Sequence, residues 1–182
     1  HKGDGLGAFS AANQKVMMET MESIKNLNLI LEIGICNNRK NAYRTSTATI
    51  LKHKPKNCTY VGVDIQDKTS ILEDNFKKEF DKNSYFFRAN SKDIEKVMSF
   101  INKLGFQKID LLHIDGLHTI EHIAYDWNYT EYVSDEGKIL LHDTNQHPGP
   151  LALLEVIDRG IFDFKKKCIG DDDNGITIIW KK

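Results

Sequence analysis

Residues 29–34 read Leu-Ile-Leu-Glu-Ile-Gly, an apolar run that ends in glycine. A run of this length bounded by a turn residue predicts a buried strand followed by a tight turn. Further along the chain, residues 59–64 read Thr-Tyr-Val-Gly-Val-Asp and predict a second strand, which ends in a carboxylate. These two buried strands are the start of a pattern that the rest of the chain continues.

Helices and strands alternate after this point. Further strands are predicted at 84–89, 108–114 and 138–142. Helices are predicted at 71–80, after the fourth strand through Trp127, and at 150–157, and a clearly amphipathic helix at 94–104. Short apolar strands that alternate with helices predict a parallel sheet with helices on both faces. The last two strand-like runs, 162–169 and 176–180, are separated by a Gly- and Asp-rich turn and predict an antiparallel hairpin.

The chain is short enough for a single domain, at 182 residues. Residues 1–27 are predicted to form a Gly-rich arm and a helix capped by Ser10, and residues 28–182 the α/β domain. Hydrophobic residues make up 40% of the chain, enough for a sizeable core. The formal net charge of −1 argues against non-specific nucleic-acid binding, which requires a basic face.

Two further features concern the cellular setting. No apolar run approaches the roughly 20 residues of a membrane span. The three cysteines are odd in number and widely spaced, which favours a reducing compartment over a disulfide framework. We therefore expect a cytoplasmic protein, and a homo-oligomer is compatible with the sequence.

Polar residues follow each predicted strand of the parallel sheet. In open α/β sheets, ligands bind beyond the carboxyl ends of the strands. The residues at these ends are Glu32 and Gly34, Asp64, Asn90 and Ser91, Asp115 and His118, and His142 and Asp143. The sequence therefore predicts a ligand site at this edge of the sheet.

The first two of these strand ends suggest a nucleoside ligand. Gly34 would let the backbone come close to a ligand, and the Asp64 carboxylate could accept both hydroxyls of a ribose. Each residue also has a simpler interpretation, because Gly34 could serve an ordinary turn and Asp64 could cap a helix. The two positions together favour the nucleoside site.

Glu32-Ile33-Gly34 with Asp64 resembles class I S-adenosylmethionine-dependent methyltransferases, whose first motif is an acidic residue, x, Gly, x, Gly. Cys36 stands in place of the second glycine. Residues 111–118 with Glu121 resemble the I-D-G-x-H-x-x-E signature of one branch, which includes small-molecule and sugar O-methyltransferases and cephalosporin-hydroxylase-like proteins. Residues 137–144 match the fifth strand of that branch. The resemblance implies a Rossmann-like three-layer sandwich with a seven-stranded, mostly parallel sheet and a C-terminal antiparallel hairpin.

This resemblance implies S-adenosyl-L-methionine as the cofactor. It places Asp64 on the ribose hydroxyls, and Glu32 and Gly34 near the methionine end. The remaining cofactor-binding residues that it implies are Asn90 and Ser91, near the adenine, and Asp115.

The resemblance also implies a divalent cation. Asp115 and Asp143 end neighbouring strands, so their carboxylates can converge, and oxygen ligands of this kind suit Mg²⁺. His142 is a third candidate metal ligand. His118, three residues after Asp115, is the candidate general base, so the predicted catalytic residues are His118, Asp115 and Asp143.

The predicted reaction is methyl transfer to a hydroxyl of a small molecule or sugar, with neither nucleic acid nor membrane as a partner. Two other interpretations remain open. The chain could be a catalytically silent nucleoside-binding module that keeps Asp64. It could also be a metal-dependent hydrolase in which His118 and His122, four residues apart, combine with Asp115 and Asp143.

Overall fold

The computed structural model describes residues 9–35, 44–169 and 174–182. In these ranges seven strands alternate with six α-helices and a 3₁₀ helix at Asn128–Tyr132. The strands are β1 (Leu29–Ile33), β2 (Thr59–Asp64), β3 (Ser84–Arg88), β4 (Ile109–Ile114), β5 (Val133–His142), β6 (Phe164–Ile169) and β7 (Ile176–Lys181). The helices are α1 (Ala11–Ser23), α2 (Ser46–His53), α3 (Thr69–Phe76), α4 (Ile94–Lys103), α5 (Ile120–Trp127) and α6 (Pro148–Asp158).

The strands form one sheet in the order β3-β2-β1-β4-β5-β7-β6. Strands β1 to β5 pair in parallel, whereas β7 runs antiparallel to both β5 and β6. The predicted Rossmann-like fold with its C-terminal hairpin is therefore confirmed. Its topological switch point lies between β1 and β4, where ligands bind in folds of this kind.

Two hydrophobic layers cover the sheet because successive residues of a strand face opposite sides. Leu31 and Val61 point toward one layer, which includes residues of α4, α5 and α6. Ile30 and Tyr60 point toward the other, which includes residues of α1, α2 and α3. Strand β1 is buried on both faces, which explains why four of its five residues are apolar.

Several elements differ in their bounds from the prediction, and helix α3, for example, ends at Phe76 rather than at residue 80. Helix α1 begins after the predicted cap Ser10, whose side chain accepts a hydrogen bond from the Asn13 amide, but it ends at Ser23 rather than near residue 27. Helix α2, capped by Thr45, was not predicted. Strand β5 starts at Val133, five residues before the predicted start, and its pairing with β4 contains a register shift between Ile109 and Leu111.

Candidate active site

A cavity of about 330 Å³ opens at the carboxyl ends of β1, β2 and β4. This volume lies in the usual range for small-molecule sites. Five of the six predicted cofactor-binding residues line it, namely Gly34, Asp64, Asn90, Ser91 and Asp115. Residues of the following loops complete the wall, among them Gly116 and Leu117.

Gly34 lines the cavity where the loops after β1 and β4 come together. Its φ of 79° is in the left-handed region, and its amide donates to the Val63 carbonyl at 2.9 Å. A Cβ at this position would lie 2.2 Å from the carbonyl oxygen of Asp115. Only glycine therefore allows the loops after β1 and β4 to approach each other this closely.

Asp64 orders the loops after β1 and β2. One carboxylate oxygen accepts from the Ile35 amide at 3.2 Å, and the other accepts from the Gln66 amide at 2.8 Å. Lys68 lies 3.7 Å from the carboxylate. Asp64 does not cap helix α3, which begins at Thr69. Its carboxylate instead lines the cavity.

Asn90 and Ser91 follow β3 on the opposite side of the cavity. The Asn90 side chain accepts from the Lys92 amide at 3.1 Å, which closes a local turn. The Ser91 carbonyl accepts from the hydroxyl of the buried Tyr129 at 2.6 Å. These bonds fix the backbone after β3 against the 3₁₀ helix.

Glu32 is the one predicted cofactor-binding residue that does not line the cavity. Its carboxylate is fully buried and faces the α2 side of the sheet. It accepts hydrogen bonds from Ser46 (2.6 Å), Thr47 (2.9 Å) and Tyr60 (2.6 Å), and its Oε1 lies 3.2 Å from Nδ1 of His113. In this structure Glu32 joins β1, β2, β4 and the start of α2, and its contact with the methionine end stays a prediction.

The three predicted metal ligands converge at the ends of β4 and β5. Nδ1 of His142 lies 3.1 Å from Oδ1 of Asp115 and 3.5 Å from Oδ1 of Asp143. One donor atom from each residue can be chosen so that all three lie within 4.8 Å of one another. The three side chains could therefore hold a single cation.

His118 approaches the same carboxylates from the loop before α5. Its Nε2 lies 2.6 Å from Oδ2 of Asp143 and 3.6 Å from Oδ1 of Asp115. The structure thus brings together all three predicted catalytic residues. His122 lies apart from them, with its Nδ1 2.8 Å from the Thr119 hydroxyl, so the hydrolase site that needs both histidines does not form in the described chain.

Attraction between the two carboxylates and the two imidazoles shifts the pKa of each of these four side chains. Burial alone would raise the pKa of Asp115, but hydrogen bonds from His118 and His142 outweigh it and lower the pKa to about 2. The same bonds hold the pKa of Asp143 below its usual range despite burial. Burial would lower the pKa of both imidazoles, but the carboxylates raise it to about 9 for His118 and about 10 for His142. Without a cation, both histidines are therefore protonated at neutral pH.

Sequence reasoning missed three residues near the site. Asn13 of α1 is buried, and its amide nitrogen lies 3.2 Å from Nε2 of His142. The ring of His147 lies 4.5 Å from the ring of His118. Asp126 is buried directly behind Gly116. Five of the seven histidines fall between residues 113 and 147, and that density was the available signal for His147.

A model of a methyltransferase-domain family matches residues 44–144, more than half of the chain. The matched segment contains Asp64, Asp115, His118 and Asp143, whereas Glu32 and Gly34 precede it. No curated protein matches the sequence significantly.

Several solved structures share the fold. MycE, a methyltransferase from the mycinamycin biosynthetic pathway in complex with Mg and SAH, has a TM-score of 0.65 at 16% identity over 93% of this chain. The alignment covers 49% of MycE, so this chain spans about half its length. A Klebsiella pneumoniae protein assigned as an O-methyltransferase has a TM-score of 0.66 at 14% identity, with 94% of this chain and 80% of that chain covered.

A third similar structure is an rRNA methylase from Streptococcus thermophilus. Its TM-score is 0.64 at 10% identity, with 95% of this chain and 97% of that chain covered. These three likenesses support the fold, and the family model assigns the chain within it. By that match and by its sheet, the chain belongs to the methyltransferase-domain family, within the class I S-adenosylmethionine-dependent methyltransferase superfamily.

Proposed function

We propose that this chain transfers the methyl group of S-adenosylmethionine to a hydroxyl of a small molecule or sugar. The observation that carries the proposal is the position of Asp115. Its side chain belongs both to the wall of the cavity and to the carboxylate–histidine cluster. A donor bound in the cavity and an acceptor bound at the cluster would therefore meet at this residue.

The cavity suits the methyl donor. Asp64 offers a carboxylate at the end of β2, where it could accept the ribose hydroxyls, and Gly34 allows close approach of the backbone. Asn90 and Ser91 lie after β3, on the side where the adenine is expected. The presence of SAH in MycE, a protein of the same fold, supports this placement.

The cluster suits a divalent cation, with Asp115, Asp143 and His142 as its ligands. Oδ1 of Asp143 is buried and lies 3.5 Å from Nδ1 of His142, which is longer than a normal hydrogen bond. Two carboxylates and water ligands are compatible with Mg²⁺, which is also present in MycE. A bound cation would lower the pKa of an acceptor hydroxyl.

His118 is the proposed general base. Nε2 of a neutral His118 takes the hydroxyl proton, the acceptor oxygen attacks the sulfonium methyl carbon, and the carbon–sulfur bond breaks to leave the neutral thioether. The structure places that atom beside both carboxylates. Their charge raises the pKa of His118 to about 9, so compensation of that charge is needed for the imidazole to be neutral near pH 7.

The polar side chains at the site support a hydroxyl as the methyl acceptor. Asp115, His118 and Asp143 together provide groups to orient a hydroxyl and remove its proton. A macromolecular acceptor is less favoured, because the net charge of −1 provides little attraction for nucleic acid.

A screen of hydroxylated acceptors with radiolabelled S-adenosylmethionine, with and without chelator, tests the proposal. We expect label in a hydroxyl acceptor and its loss on chelation. His118→Ala should reduce the rate about 10²–10⁴-fold, whereas His53→Ala, at an exposed position on α2, should not. Label on amines or nucleic acid would contradict the acceptor class. Tight SAH binding without any transfer would favour the silent nucleoside-binding module.

A further inference from the structure

Asp143 belongs to a second group of potential metal ligands, formed with His118 and His147. One donor atom from each of these residues lies within 4.8 Å of the others. Asp143 directs Oδ2 toward His118 and Oδ1 toward His142, so its two oxygens serve different groups. The second group differs in composition from the first, because it has one carboxylate and two imidazoles.

The side chain of His118 contacts both other members of the second group. Nε2 of His118 lies 2.6 Å from Oδ2 of Asp143 and 3.6 Å from Oδ1 of Asp115, so it contacts both carboxylates. The imidazole rings of His118 and His147 lie 4.5 Å apart with their planes inclined by 31°. A cation that binds both His118 and Asp143 would take the place of the imidazole proton in this contact.

The backbone holds the two histidine segments together. The Gly149 amide donates to the His118 carbonyl at 3.0 Å, which ties the start of α6 to the loop before α5. A Cβ on Gly149 would lie 2.6 Å from the same carbonyl oxygen, so a larger residue would push the segments apart. The His147 side chain makes no capping bond to α6, although His147 occupies the N-cap position. The ring nitrogens of His147 are therefore not used to cap the helix.

We propose that His118, Asp143 and His147 bind a first-row transition-metal ion such as Zn²⁺, Co²⁺ or Mn²⁺, at a second site that shares Asp143 with the one on Asp115 and His142. Imidazole nitrogen suits these ions, and two histidines with one carboxylate form a common ligand set for them. Mg²⁺ prefers oxygen ligands and is a poor match for two nitrogens. The ion would engage Nε2 of His118 and so withdraw the base proposed for methyl transfer.

Metal binding can be measured directly, without an assay for methyl transfer. We expect the purified chain to bind Zn²⁺ in calorimetry in the presence of excess Mg²⁺, and Co²⁺ to develop visible absorption bands from nitrogen coordination. His147→Ala should weaken Zn²⁺ binding at least tenfold. His122→Ala is the matched control, because His122 is a nearby histidine outside both groups, and it should bind as the wild type does.

Two results would overturn the proposal. One is Zn²⁺ affinity that is unchanged in His147→Ala while the melting temperature shows both variants folded. The other is complete displacement of Zn²⁺ by millimolar Mg²⁺. Titration of the same samples with SAH separates this proposal from the methyltransferase function, because loss of SAH binding would contradict the function and leave the metal result standing.

Discussion

The side chains of His142 and Asp143 converge although the two residues are adjacent in the chain, with Nδ1 of His142 3.5 Å from Oδ1 of Asp143. Successive residues of a regular strand point to opposite faces of the sheet. Strand β5 ends at His142, and Asp143 has a φ of 57°, the only positive φ of a non-glycine residue in the described chain. This left-handed residue costs about 1–2 kcal/mol. Strain of this kind is concentrated at functional sites, which agrees with the position of Asp143 between both ligand groups.

Asp64→Asn should weaken SAH binding by about 1.5–3 kcal/mol, because a hydrogen bond to a charged group contributes about that much. Isothermal titration calorimetry measures the change. Asp67→Asn is the matched control, because Asp67 is exposed and lies outside the cavity. Equal SAH affinity in the two variants would show that Asp64 does not hold the ribose.

Gly34→Ala should lower the free energy of unfolding by at least about 3 kcal/mol, since it combines a left-handed backbone with a severe clash. The clash is the approach of the new Cβ to the Asp115 carbonyl. Gly105→Ala separates the two costs, because Gly105 has a φ of 92° and no atom within 4 Å of the added Cβ. We expect a loss of about 1 kcal/mol for that variant. Urea denaturation of both variants measures the difference, and similar losses would refute the close approach.

Glu32→Ala should destabilise the fold by about 3 kcal/mol or more, because it leaves several buried donors without an acceptor. Glu32→Gln keeps the shape and one acceptor oxygen, so its loss should be smaller. Glu73→Ala, at an exposed position of α3, is the control and should change the stability little. Chemical denaturation measures these effects. A wild-type unfolding free energy in Glu32→Ala, combined with lost SAH binding, would instead support the predicted cofactor contact.

Asp126 should make the fold less stable as the pH rises. Burial raises its pKa to about 6, against the opposing effects of Ser91, His122 and Lys92. Between the ordinary pKa of 3.8 and about 6, the folded state binds more protons than the unfolded state, so stability falls with rising pH across this window. The loss is complete above pH 6 and amounts to about 3 kcal/mol at most.

Asp126→Asn provides the comparison, because the amide does not titrate. At pH 4 the wild type and the variant should have similar free energies of unfolding. At pH 7 the variant should be the more stable of the two. Parallel pH profiles for the two proteins would contradict a raised pKa at Asp126.

The strands and their order of alternation were predictable because each buried strand is marked by a local apolar run. Residues 29–34 and 59–64 each ended where the sequence indicated, and Gly34, Asp64 and Asp115 were placed at one edge by the rules of parallel sheets. Helix α2 was missed because its first turn contains Ser46, Thr47 and Thr49, which favour helices weakly, and its packing against the sheet overrides that preference.

The fold and the strand ends at which the cavity forms follow from hydrophobic periodicity and turn residues, which are local properties of the chain. The directions of the side chains at those ends depend on tertiary packing. Glu32 turns into a buried hydrogen-bond network rather than toward the cavity, and Asp143 leaves the alternation of its strand. Asn13 reaches His142 across 129 residues of sequence. These contacts depend on the packing of distant segments, for which a single sequence carries no local signal.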